Sequence, residues 1–95
     1  MDGNFKFKNS NGTEYEVIFR KPNKRHYGDD CDGYCTDYGR VIINPYRTNK
    51  TQLNTAIHEF AHAFFWDNTE KDVSKFANAL TKFLYSRCGW RKKKD

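Results

Sequence analysis

Leu53, Ala56, Ile57, Phe60, Ala61, Phe64 and Phe65 recur at the three- and four-residue steps that bring side chains onto one face of an α-helix. Val73, Phe76, Ala77, Leu80, Phe83 and Leu84 repeat that spacing after a break at Asp67-Asn68-Thr69. Two amphipathic helices joined by so short a link fold back on one another, and that hairpin limits what the rest of the chain can build. Asn49 with Gln52 reads as a capping pair for the first helix, Thr51 being the alternative cap, and the helix is expected to end near Asp67. Asn68 or Thr69 can cap the second helix, and Gly89 before Trp90 suits a left-handed stop.

The first half of the chain carries a different period. Phe5 and Phe7 alternate with polar residues, as do Tyr15, Val17 and Phe19, and Asn11-Gly12 between the runs supplies a tight turn, so a β-hairpin is expected. Arg40-Val41-Ile42-Ile43-Asn44 is β-branched and closed by Pro45, which marks a third strand. From Lys21 to Gly39 no apolar period exists, and a long irregular loop follows from that. The expected fold is α+β: a small antiparallel sheet, made of the hairpin and one strand, packed on two helices in a single domain over residues 1–95. The basic residues 91–95 are expected to form a flexible tail. Apolar residues are only 37% of the chain, but eight Phe, six Tyr and two Trp supply large buried areas from few positions.

The formal net charge of +5 concentrates in Arg20-Lys21-Pro22-Asn23-Lys24-Arg25 and Arg91-Lys92-Lys93-Lys94, runs that read as solvated ends with weak nucleic-acid contact as the less favoured role. No stretch approaches the roughly 18 apolar residues of a membrane span, and Met1-Asp2-Gly3-Asn4 lacks the features of a secretory signal. Cys31, Cys35 and Cys88 cannot all pair within one chain. A reduced protein of the cytoplasm, with no membrane partner, is therefore expected.

One segment of the first helix carries chemistry. In His58-Glu59-Phe60-Ala61-His62 the histidines lie four residues apart, so their rings project side by side and can converge on one ion. They sit roughly 140° to 180° around the helix from Leu53, at the border of the apolar stripe, where a cleft is possible. Glu59 follows the first histidine, so its carboxylate reaches the space beside the ion without having to coordinate it. This division of labour is what zinc-assisted hydrolysis requires: neutral imidazoles hold Zn2+, and a carboxylate takes the proton of the attacking water and returns it to the leaving group. A catalytic zinc keeps one position open, so a third protein ligand is needed and a fourth is not.

The longer HExxHxxGxxH pattern would put a glycine at position 65 and a histidine at position 68, where this chain has Phe65 and Asn68. Asp67, Glu70 and Asp72 remain as candidates, with His26 or an acid of the long loop as outsiders. On a straight continuation of the first helix Glu70 would lie about 12 Å beyond His62 along the axis, out of reach. A turn at Asp67 to Thr69 swings it back, and Glu70 is the favoured third ligand. The competing role for Glu70 and Asp72 is to complement the positive end of the second helix dipole.

With these residues the chain resembles a family of small phage and bacterial zinc metallopeptidase-like proteins in the zincin group. The likeness runs over roughly residues 28–91: Val41-Ile42-Ile43, Thr55-Ala56-Ile57-His58-Glu59-Phe60-Ala61-His62-Ala63, then Asp67, Glu70 and Val73, and Gly89-Trp90-Arg91. The resemblance implies a minimal zincin-like peptidase, acting in the host cytoplasm if phage-encoded, with the two histidines and an acid opening the next helix as ligands. It also implies that the strand before the active helix, here Arg40 to Asn44, pairs with an extended protein or peptide substrate. With little chain left for a second subdomain, further substrate contacts are expected from the long loop and the termini.

Other features carry less. Cys31 and Cys35, with His26 or Cys88, have spacing compatible with a structural zinc clip but lack a matching second pair. Tyr27, Tyr34, Tyr38 and His26 could enter the cleft as donors to a developing oxyanion. Phe60, Phe64 and Phe65 read as core from their spacing, leaving Trp66 for the cleft rim. The alternative to a zinc hydrolase is a catalytically inactive zinc-containing binding module for nucleic acid or a host protein. A zinc hydrolase acting on a non-peptide amide or ester is a third reading.

Overall fold

The computed structural model describes residues 5–21, 31–36, 39–65 and 67–93. Strands β1 (Phe5–Lys8) and β2 (Glu14–Phe19) form the expected hairpin, with Phe5 opposite Val17 and Phe7 opposite Tyr15. Asn9 organises its turn: the backbone N–H donates to Thr13 O, and the side-chain Oδ1 accepts from the N–H groups of Asn11 and Thr13. Two further strands, β3 (Gly33–Cys35) and β4 (Arg40–Ile43), complete a sheet of order β1-β2-β4-β3.

This sheet is mixed rather than antiparallel, because β4 runs parallel to β2 and antiparallel to β3. β4 is therefore a central strand. Its apolar run is continuous instead of alternating, which suits a strand covered on both faces, and Val41, Ile42 and Ile43 are all buried. β3 arises inside the segment expected to be irregular. Three residues are too few to show a period; the strand is held from outside, by Asn44, whose N–H donates to Asp32 O and whose Nδ2 donates to Cys31 O, and by the Arg47–Asp32 ion pair at 2.7 Å. Cys31 Sγ donates to Gly33 O, and all three cysteines are free thiols.

Helix α1 (Asn49–Phe64) starts at Thr48, whose hydroxyl accepts from Thr51 N, so neither Asn49 nor Thr51 is the cap. Gln52 does not reach back to a cap; its amide donates to Pro45 O and Arg47 O, securing the approach from β4. Thr69 caps helix α2 (Glu70–Thr81) by accepting from Asp72 N. α2 runs on into a π-helical turn, Lys82–Arg87, and stops where Gly89 takes a φ of +73° and Trp90 N donates to Leu84 O.

The packing of α1 departs from its apolar stripe. Its contribution to the core around Tyr15, Val41 and Ile43 is Ala63 and Ala56, not phenylalanine. Small side chains let the helix lie close to the sheet. At Gly33 a Cβ would come within 2.6 Å of Thr55 Cγ2 and of Ile42 O, so only glycine lets β3 approach α1 here. The stripe instead faces α2 and the corner beside β1, where Phe60 stacks on Phe7 at 4.0 Å between centroids. Phe60 and Phe65, expected in the core, are exposed, because the sheet is already covered by the alanine side of the helix. α2 rests on α1 through Val73, Ala77 and Thr81, its buried residues.

Two tethers fix the ends of α1. Asn9 Nδ2 donates to Ala63 O and Ser10 Oγ to Phe64 O, so the hairpin turn satisfies carbonyls that the helix end leaves open. At the other end Lys92 Nζ donates to Gln52 Oε1 at 2.9 Å and lies over the Phe19 ring, while Arg91 stacks on Tyr85 at 3.8 Å. The start of the basic run is thus laid along the fold. Among the described residues no helix is long and apolar enough to cross a membrane.

Candidate metal centre

The flank of α1 facing β3 carries His58 and His62, with ring centroids 4.8 Å apart. The turn after Phe65 reverses the chain, and the first residue of α2, Glu70, reaches back between the two rings. Its Oε1 lies 2.8 Å from His62 Nε2, and His58 Nε2 is 3.0 Å from Oε2 and 3.3 Å from Oε1. All three ligand atoms fall within 4.8 Å of one another, so the group can hold a metal ion.

The spacing fits a small tetrahedral ion. With ligand bonds of about 2.0 Å, the ligand atoms of a tetrahedral ion stand roughly 3.3 Å apart; the His–Glu contacts of 2.8–3.3 Å are of that size, within a group spanning up to 4.8 Å. Glu70 is largely exposed while the histidines are mostly covered, which leaves the group open on the solvent side.

Ser74, one turn into α2, donates from Oγ to Glu70 Oε2 at 3.1 Å. Oε2 thus meets both the Ser74 hydroxyl and the His58 ring, while Oε1 faces His62. The slight covering of Glu70 pushes its carboxyl up, but the His62 hydrogen bond, the charge on His58 and the Ser74 hydroxyl outweigh that and hold it below the ordinary value. Glu59 behaves oppositely. Burial pushes its carboxyl up; His58 and His62 oppose the rise, the negative Glu70 adds to it, and the result stands above the ordinary value. The cause is positional, since Glu59 lies on the side of α1 turned toward the sheet.

A polar cleft runs past these groups, lined by Tyr15, Tyr34, Thr36, Glu59 and the three candidate ligands, with a volume of about 330 Å³. Gly33 and Cys35 complete its β3 wall. The strand bordering the cleft is therefore β3 at the sheet edge. β4, which the sequence suggested for substrate pairing, has both edges occupied, by β2 and β3.

Of the acids weighed as third ligand, Glu70 joins the histidines, whereas Asp67 and Asp72 belong to no ligand group among the described residues. Asp72 instead offers its N–H to the Thr69 cap. Tyr34 lines the cleft as expected of a donor; His26, Tyr27, Tyr38 and Trp66 lie outside the described residues. Cys31, Cys35 and Cys88 form no ligand group among the described residues. Sequence reading missed Ser74 and the β3 wall. Ser74 could have been found from its place four residues after Glu70, the spacing at which helical side chains meet. Compared with known proteins, the chain matches no family model, no curated protein and no solved structure.

Proposed function

We propose that this chain is a zinc-dependent hydrolase acting on peptide bonds, in the manner of the zincin metallopeptidases its HExxH segment resembles. The observation that carries this reading is the convergence of His58, His62 and Glu70 within 4.8 Å, beside the half-buried Glu59 and at the head of a polar cleft. When bound, zinc supplies Lewis-acid activation of water and of the scissile carbonyl.

The chain's own residues do the rest. His58 and His62 would hold the ion through their imidazoles, and the Glu70 carboxylate, steadied by Ser74, would be the third ligand and offset part of its charge. Glu59 takes the proton of the attacking water and passes it to the leaving amine. The β3 wall provides an extended surface along which a peptide can lie, and Tyr34 is the cleft residue suited to stabilise a developing oxyanion.

Metal analysis tests this directly. The parent chain should carry or take up one equivalent of zinc, and Glu70→Ala should lose it. Glu59→Gln should keep zinc and the fold while losing cleavage of a mixed peptide library. A parent that takes up no zinc would end both the metal and the hydrolase readings. Zinc binding without cleavage would leave the inactive binding module.

A further inference from the structure

The end of the fold where α1 starts, away from the metal group on its second half, collects positive charge. β2 and β4 run parallel and finish side by side, and Arg20 N donates to Ile43 O, so Arg20 and Lys21 leave the sheet where β4 turns toward α1. Arg47 and Lys50 flank the Thr48 cap there. The returning chain adds Arg91 against Tyr85 and Lys92 against Gln52, with Lys93 after them. All of these cations are exposed except Arg47 and Lys92, which are half-buried. Lys82 and Arg87, beyond the Asn54–Asn78 contact that aligns the two helices, fall on the same half. Among the described residues the acid at this end is Asp32, already paired with Arg47 at 2.7 Å. The far half is balanced instead: Lys6 and Lys8 face Glu16 and Glu14 across the hairpin, Glu16 also stands beside Arg40, and Lys71 and Lys75 share the start of α2 with Glu70 and Asp72. Glu59 and Asp67 add to the acids there.

The helix starts carry the same contrast. α2 opens with Glu70 and Asp72, as the positive end of a helix dipole favours, whereas α1 has no acid in its first turn and carries Lys50 there. An anion from outside relieves that repulsion. Rings stand among the charges. Lys92 Nζ lies 4.1 Å over Phe19 and the Arg91 guanidinium 3.8 Å over Tyr85. Tyr46, 76% exposed, lines a pocket of about 380 Å³ with Lys21, Asn44 and Arg47. Cations that follow a phosphate backbone, with open rings on which bases stack, are what single-stranded nucleic acid requires of a surface. A lipid surface requires apolar groups free to enter the acyl region, but Phe19 would drag the Lys92 ammonium in with it. A duplex keeps its bases stacked on one another and offers Tyr46 no face. We propose that this end of the molecule binds single-stranded nucleic acid, with phosphates along the cations around the start of α1 and a base stacked on Tyr46.

Fluorescence anisotropy of the full chain with a labelled mixed-sequence oligonucleotide of about 20 nucleotides, longer than one small site, tests the proposal. Binding at low salt should weaken by roughly 50-fold between about 50 and about 200 mM salt, the slope for about four neutralised phosphates of a single strand. Lys21→Gln with Lys50→Gln should weaken it further and lower that logarithmic slope by about 1.4. Tyr46→Ala, at an exposed position, should weaken binding by about tenfold with the slope unchanged. Lys71→Gln with Lys75→Gln removes the same charge from the far half and should stay within twofold of the parent. The duplex of the same sequence should bind more weakly than the single strand. Absence of binding at low salt overturns the proposal, as does a far-half variant that loses as much as the near-half one. Equal binding of duplex, or a Tyr46→Ala variant that binds like the parent, overturns the stacking on which it rests. Phosphatidylserine vesicles or polyglutamate bound as tightly as the oligonucleotide would overturn it too, by giving the face to lipid or to anions in general.

Discussion

The two flanks of α1 are built from the same helix and do opposite things. Toward β3 the flank is polar and is closed from above by Glu70, whose carboxylate sits between His58 and His62. Toward β1 the flank is aromatic and open, with Phe60 against Phe7 and the groove running on to Phe76 and Leu80. The difference shows that an apolar stripe marks a helix without saying which side meets the sheet. What decides the docking is the close approach that Gly33, Thr55, Ala56 and Ala63 permit, and the cleft wall that β3 sets beside the metal group is a product of that approach.

If the flanks are independent, substitutions should sort by side. The largest effect is expected from Glu59→Gln, which removes the proton acceptor and should lower turnover by roughly 10²- to 10⁴-fold while zinc content is unchanged. Steady-state cleavage with parallel metal analysis checks it, and a variant that cleaves as fast as the parent would remove Glu59 from the mechanism. Next comes Ser74→Ala. Freeing Glu70 Oε2 from its hydrogen bond should weaken zinc binding by about 10- to 100-fold, measured by competition with a chromophoric chelator. Equal affinity would show that Ser74 does not position Glu70.

Gly33→Ala should act through packing on the polar flank. A methyl group forced against Thr55 Cγ2 and Ile42 O should cost about 1–3 kcal/mol in unfolding free energy, read from denaturant titration. On the aromatic flank Phe65→Ser should leave zinc affinity and turnover within twofold of the parent, since Phe65 is half exposed and lines the apolar groove, not the cleft of the ligands. A loss of metal binding there would break the separation of the flanks.

The smallest expected effect is one of pH. Glu59 binds its proton more tightly in the folded chain than unfolded, so its contribution to stability is present at low pH and is lost as pH rises through its raised folded value. Glu59→Gln should therefore stabilise the metal-free protein relative to the parent at neutral pH and not below the ordinary carboxylate range. Glu70 has the opposite sign: its contribution is present above that range and is lost as pH falls through its lowered value. Thermal unfolding with chelator present, from about pH 3 to about pH 8, separates the two.

Much of this was legible in the residues. Helical period located both helices, the β-branched run located β4, and the reach of a straight helix demanded the turn that returns Glu70 to the histidines. What was hidden has a common cause, which is dependence on partners distant in sequence. β3 is three residues pinned by Asn44 and Arg47, the parallel pairing of β2 with β4 links strands across a long connection, and the Thr48 cap differs from its neighbours only in backbone conformation. Choice among the faces of α1 needed the same information. A stripe of phenylalanines looks like core until the sheet is seen to be already filled by Val41, Ile43 and two alanines.

Only twelve positions separate His58 from Glu70, and all three candidate ligands belong to one helix–turn–helix unit. Gathering them closes a short loop, at small entropic cost, whereas joining β2 to β4 closes a long one. An ion captured there would reward the helical hairpin before any strand had paired, since binding energy at a site absent from the unfolded chain is folding energy. The metal group would then serve as an early staple, around which the later-arriving sheet is laid.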